Sequence, residues 1–211
     1  VDHLQRYLPD SMTFDIPGKV FPLEVRYQKQ SLSLRTDFDF YARIENAVHE
    51  AIRETQSDIL VFLPGQGEIQ RVQDRLNQID LKNRDVIPLH GSLSLEQQRR
   101  ALAFQSRRRV ILSTNVAEAS VTVEGVDYVI DSGLSKVMQV HPRTGFAHLE
   151  LTRISQFNAQ QRAGRAARQK SGVCLRLWTP FEETTQALQP VPECQRADLS
   201  QTMLLLAHLG V

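Results

Sequence analysis

Gln161, Arg165 and Arg168 recur at spacings of four and three residues in the stretch QQRAGRAARQKSGVC, Gln160 to Cys174. On a helix running to about Gln169, that spacing puts the three side chains on one face. Ala163, Gly164, Ala166 and Ala167 fill the positions between them, so such a helix packs close to a neighbour and its guanidinium groups are held in place. Two planar arginine forks and an amide on one face suit an anion with several oxygens. A solvated basic helix accounts for the same pattern.

Other chemistries leave no trace. The chain has no GxxxxGK[ST], and Pro64-Gly65-Gln66-Gly67 lacks the lysine and the hydroxyl of a phosphate loop. Such a turn also serves as a plain strand-to-helix connection. The six histidines are scattered without an HExxH spacing. There is no acidic pair in a magnesium-binding context and no Ser, Cys or His signature of covalent catalysis.

The 211 residues are 41% hydrophobic and 23% charged, which fits one compact soluble domain, or one domain with borrowed ends. Two cysteines without metal-like spacing, and no leading signal segment, suggest a reduced cytoplasmic protein. No apolar run approaches the ~20 residues of a membrane span. Net charge is only +1, but it is unevenly spread. Residues 1–98 carry 11 basic and 15 acidic side chains, 99–176 carry 13 and 5, and 177–211 carry 1 and 4. A basic middle favours a polyanionic partner, nucleic acid or nucleotide phosphate.

The elements that must position these groups alternate. A half-buried strand at Val20 to Tyr27 follows a Pro17-Gly18 turn. Asp37 to Thr55 has the apolar spacing of a helix, and Asp58 to Leu63 is a short apolar run typical of a strand buried on both faces. Ile69, Val72, Leu76 and Ile79 mark the next helix. Asp85 to Leu89 is a strand, and Ser94 with Gln97 forms a capping box for a helix to about Phe104. Val110 to Ser113, Val126 to Asp131 and Gly172 to Trp178 are further strands. This alternation means an α/β fold, a mainly parallel sheet with helices on both faces, whose ligands sit at the strand carboxyl ends. Val137 to Val140 and Phe146 to Leu151 flank Arg143-Thr144-Gly145 and give a projecting β-hairpin. Leu199, Met203, Leu206 and Leu209 give a last helix an apolar face with little chain left to cover it.

Four stretches carry a resemblance. Ile59 to Ile69 (ILVFLPGQGEI), Leu89 to Leu93 (LHGSL), Ser113 to Val123 (STNVAEASVTV) and Gln161 to Arg168 (QRAGRAAR) look like motifs IV, IVa, V and VI of superfamily 2 helicases, in that order. Nearly the whole chain resembles the second RecA-like domain of DEAH-box helicases, most of all the bacterial HrpB type. The resemblance implies a RecA-like fold. It also implies that Arg165 and Arg168 act on the β and γ phosphates of ATP held by a first RecA-like domain, with Gln161 beside them near the γ phosphate or attacking water. An arginine supplied to a phosphoryl-transfer transition state is worth ~10³ to 10⁵ in rate. Ala167 stands where the usual pattern has glycine.

By the same resemblance Ser120 senses nucleotide state, Thr122 and Glu124 hold the ribose, and Phe104 stacks on adenine. Phe104 is equally readable as a core aromatic at a helix end. Gly91, Ser92, Thr114 and Asn115 resemble the residues that contact the RNA backbone, which backbone amides and hydroxyls suit. Turn chemistry is the plain reading of Thr114-Asn115. The hairpin resembles one placed near the strand-entry point; it is otherwise a structural edge.

The implied division is residues 1–25 as the tail of a first RecA-like domain and linker, 26–195 as the second RecA-like (helicase C-terminal) domain, and 196–211 as the start of a winged-helix region. The implied function is the second motor domain of an ATP-dependent RNA helicase, with ATP and Mg2+ held mainly by the first domain and single-stranded nucleic acid, RNA before DNA, as partner. Two other readings stay open: a nucleic-acid-binding module without an ATP role, and the motor domain of a DNA-directed superfamily 2 helicase.

Overall fold

The structure is a computed structural model, and it describes residues 8, 10–12, 14, 21–30, 33–103, 106–119, 123–141 and 143–210. Six strands form one sheet: β1 (Leu23–Tyr27), β2 (Asp58–Phe62), β3 (Arg84–Leu89), β4 (Arg108–Ser113), β5 (Val126–Asp131) and β8 (Gly172–Arg176). Their order is β1-β8-β5-β2-β4-β3, and every pairing is parallel. The central strand β2 pairs Leu60 with Ile111 on one side and with Val129 on the other, and all five of its residues are buried.

Side chains alternate across a strand, so each face of the sheet has its own core. Ile59, Val61, Val110, Leu112, Tyr128 and Ile130 pack against Ile44, Val48, Ile69 and Val72. These last four come from α1 (Phe38–Glu54) and α2 (Gln66–Leu76). Leu60, Phe62, Ile111, Val129 and Cys174 face the other way, onto Ala101, Ala117, Ala163 and Ala166. Small residues on α3 (Leu95–Leu102), α4 (Val116–Ala119) and α5 (Gln156–Ala163) bring these helices close to the sheet. The parallel sheet with helices on both faces is therefore as the alternation requires.

Caps set the boundaries. The Asp37 side chain accepts from the Phe40 amide at the start of α1, and Ser94 and Gln97 form the expected reciprocal box at α3. The hairpin, β6 (Leu134–Val140) with β7 (Ala147–Arg153), is a separate two-stranded sheet. It begins three residues earlier than the apolar pattern suggests. Gly145 turns it at φ 69°, as the turn chemistry requires. Lys136 anchors its base, donating to both carboxylate oxygens of Glu68 at 2.9 and 2.8 Å.

The largest departure concerns α5. It stops at Ala163 and not near Gln169; Gly164 caps it, and the amides of Arg165 and Ala166 turn to the carbonyls of Arg162 and Ala163. Tertiary contact decides this. A Cβ on Gly172, at the start of β8, would lie 2.1 Å from the Ala166 carbonyl oxygen, so the chain after Ala163 is pressed against the incoming strand and cannot continue as a helix. Two short elements, α6 (Pro180–Thr184) and a 3-10 turn at Glu193–Gln195, lead to α7 (Ser200–His208). Exposed apolar side chains run all round α7, from Met203 and Leu204 to Leu205 and Leu206. Among the described residues no helix is long and apolar enough to cross a membrane. The Pro17-Gly18 turn lies outside the described residues.

Candidate functional site

At the carboxyl edge of the sheet, β3 ends in Leu89 and β4 in Ser113, paired residues of adjacent strands. The Thr114 amide donates to the Leu89 carbonyl at 3.2 Å, so the two loops that follow are tied together. A Cβ on Gly91 would lie 3.9 Å from Val116. Gly91, Ser92 and Asn115 are exposed and Thr114 is partly so. The structure thus brings these four into one open edge of amides and hydroxyls, beside the mouth of a cleft of about 280 Å³ lined by Asn115, Ser135, Gln139, Thr152, Arg153 and Arg196. One face of the hairpin forms a wall of that cleft.

Behind this edge lies a buried charge cluster that spacing did not single out. Arg162 is 1% exposed. Its Nε donates to Glu118 at 2.9 Å and its Nη1 to Asp131 at 3.0 Å and to the Leu134 carbonyl at 3.3 Å. Its guanidinium carbon stands 4.9 Å from the centre of the Phe62 ring. Burial works against the Arg162 charge, and Asp131 and Glu118 more than offset it, so its pKa is raised. Burial raises that of Asp131, against the pull of Arg162. The second oxygen of Glu118 accepts from Asn158. The available signal was chemical: Glu118 and Asp131 are two of only five acidic residues in the basic segment 99–176, and Asp131 ends an apolar strand.

Glu118 also holds the first of the candidate fingers. Arg165 donates through Nε, at 2.8 Å, and through Nη2 to the Glu118 main-chain carbonyl. Arg165 is only 5% exposed, whereas Arg168 is exposed and Gln161 is intermediate. The expectation of three side chains on one open helical face is therefore corrected: Gln161 is on α5, while Arg165 and Arg168 follow it in turns. Burial, and then the neighbouring positive Arg168, lower the pKa of Arg165.

Lys170 donates to Ser57 at 2.6 Å and pairs with Asp127 at 2.8 Å, at the amino ends of β2 and β5. Arg165 is thus held at Glu118, past the carboxyl end of β4, while the end of the segment 164–171 reaches the amino ends of the strands. Glu124, exposed, lies on the same side, just ahead of β5. Its carbonyl accepts at 3.0 Å from Arg109, a fully buried arginine whose Nε and Nη2 bind Asp58 at 2.8 and 2.6 Å. Phe104, Ser120 and Thr122 lie outside the described residues. Among the described residues, Glu124 is thus on the amino side of the sheet, while Asn115 and Arg165 are joined through the one turn from Asn115 to Glu118. Of the charges in the basic segment, Arg109, Arg162, Arg165 and Arg176 are buried, as are the carboxylates Glu118 and Asp131, so the surface of the segment stays basic.

The comparisons with known proteins agree with this architecture. Residues 42–170, more than half of the chain, match the helicase conserved C-terminal domain. Over 99% of its length the chain is 39% identical to the ATP-dependent RNA helicase HrpB of Escherichia coli strain K12, covering 26% of that protein. It is 34% identical over its whole length to the ATP-dependent RNA helicase HrpA of the same organism, covering 16% of it. The crystal structure of the Escherichia coli DEAH/RHA helicase HrpB superposes with a TM-score of 0.88 at 39% identity, over all of this chain and 27% of that one. The chain thus spans about a quarter or less of the length of these relatives. It belongs to the helicase conserved C-terminal domain family, as a RecA-like domain of the HrpB-like DEAH-box type.

Proposed function

We propose that this chain is the second motor domain of an ATP-dependent RNA helicase, with Arg165 and Arg168 acting on the phosphates of ATP bound to a first RecA-like domain. What carries the reading is the Glu118 carbonyl under the Arg165 guanidinium: it fixes one planar arginine fork, a donor group suited to phosphate oxygens. Arginine donors suit the charge that spreads over the peripheral oxygens in phosphoryl transfer. In this reading Gln161 hydrogen-bonds the terminal phosphate or the attacking water, and Glu124 holds the ribose. Mg2+ neutralises phosphate charge in such reactions. The buried carboxylates of Glu118 and Asp131 are both bound to Arg162, and this reading assigns the metal to the first domain.

Gly91, Ser92, Thr114 and Asn115 grip a single strand through its backbone, and closure and reopening of the two motor domains moves that grip along it. A binding module without ATP is the weaker reading, because it gives no task to Arg165, which the Glu118 carbonyl holds in place. The test uses the complete parent protein. Arg165→Ala should lower ATP turnover by about 10³-fold while single-stranded RNA still binds. Unchanged turnover would remove the role given to Arg165, and equal unwinding of RNA and DNA duplexes would remove the RNA preference.

A further inference from the structure

Glu118 uses its carboxylate and its carbonyl for different tasks. The carboxylate is locked from two sides, by Arg162 Nε at 2.9 Å and by the Asn158 amide, and the residue is 7% exposed. The carbonyl accepts two N–H groups of Arg165. The Glu118 amide donates to the Asn115 carbonyl at 2.9 Å. One turn of chain therefore has the candidate strand contact at one end and the candidate phosphate contact at the other. Its orientation is set from α5 through the glutamate side chain.

We propose that Glu118 is a positioning residue for ATP hydrolysis: its locked carboxylate fixes α4 so that its carbonyl aims Arg165 at the phosphates, and strand binding at Asn115 reaches Arg165 through the same turn. The proposal rests on the motor reading above. The alternative, a purely structural ion pair, gives the same contacts to Arg162 but assigns nothing to the carbonyl. Physical reason favours more. A guanidinium tied by adjacent donors to one oxygen has its plane fixed, and small misplacement of a group acting on a transition state costs about 10²-fold in rate.

The experiment is a double-mutant cycle in the complete parent protein. Glu118→Gln keeps the size and one acceptor; Glu118→Ala removes both carboxylate contacts. Glu118→Ala should lower kcat for strand-stimulated ATP hydrolysis by about 10²-fold, with KM for ATP and the Kd for single-stranded RNA changed less than about threefold. Glu118→Gln should recover part of the loss. Combined with Arg165→Ala, neither should lower kcat further, because both act through one side chain. A merely structural role would reduce kcat in the Arg165→Ala background as well, which would overturn the proposal; a lower melting temperature follows from breaking the buried pair on either account. Should Glu118→Ala fail to fold, Glu118→Gln and Asn158→Ala carry the same cycle. If Arg165→Ala itself leaves turnover intact, the motor reading fails; if Arg165→Ala abolishes turnover and the Glu118 variants match the parent, only the positioning role fails.

Discussion

Glu118 and Arg162 meet at 2.9 Å with both side chains almost wholly buried, and this one contact joins the loop after β4 to the helix α5. With Asp131 it forms a triad in which one cation serves two carboxylates. Such a cluster is not a cheap source of stability, since desolvation offsets much of the Coulomb attraction. Breaking it is a different matter, because the remaining charges have no water.

Arg162→Ala should therefore destabilise the domain by about 3–5 kcal/mol. Asp131, at 0% exposure, would be left without its cation. Chemical denaturation of the isolated chain measures this directly. A loss under about 1 kcal/mol would mean that water already reaches the triad.

The close approach at Gly172 gives a second prediction. A Cβ there meets the Ala166 carbonyl at 2.1 Å, and Ala166 is next to Arg165, so Gly172→Ala has to push the turn after α5 off the sheet. Overpacking of this kind costs about 1–3 kcal/mol, and in the parent protein it should lower ATP turnover along with the melting temperature. Gly67 is the contrast. It is exposed on α2 with nothing within 4 Å of an added Cβ, so Gly67→Ala should raise stability by about 0.5–1 kcal/mol.

His90, beside Gly91, sets a pH dependence. It is 8% exposed and its Nδ1 has no hydrogen-bond partner among the described residues; burial holds its pKa below the usual histidine value. Below about pH 6.5 the unfolded chain takes up a proton that the folded chain refuses. Stability contributed by neutral His90 is thus complete above that pH and declines as pH falls toward the folded pKa, with a slope of at most about 1.4 kcal/mol per pH unit. Denaturant midpoints at pH 7.5 and 5.5 should fall less in His90→Asn than in the parent sequence. Equal falls would assign the dependence to other groups.

Asn115 tests the strand edge. In the complete parent, Asn115→Ala should weaken single-stranded RNA binding several-fold, about 1 kcal/mol, by a similar factor for unrelated sequences, as contacts to the backbone require. Weakening confined to one sequence would point to base recognition. The isolated chain itself, without a phosphate loop in its sequence, should show no ATP hydrolysis; turnover by the pure domain would contradict the division of labour between two motor domains.

How much of this was legible beforehand depended on whether the signal was local. The capping box of Ser94 and Gln97 and the turn at Gly145 depend on neighbours within a few positions, and each stands in the structure where the residues put it. The apolar runs of β2, β4 and β5 fixed a parallel sheet, because a strand with no polar face has to be covered on both sides. Four motifs in order were enough to indicate the family.

What folding in three dimensions decided is which charges go inside. Spacing chose Arg165 and Arg168 from the stretch and passed over Arg162, yet Arg162 is the deepest of the three, since its partners Glu118 and Asp131 lie 44 and 31 positions away. The end of α5 was equally hidden: composition favours a helix to Gln169, but Gly172 brings β8 against Ala166 and turns the chain early. A linear pattern records periodicity along one element. The cost of burying a charge, and the room left for a turn, are fixed only when a distant element arrives to pair with the one or press on the other.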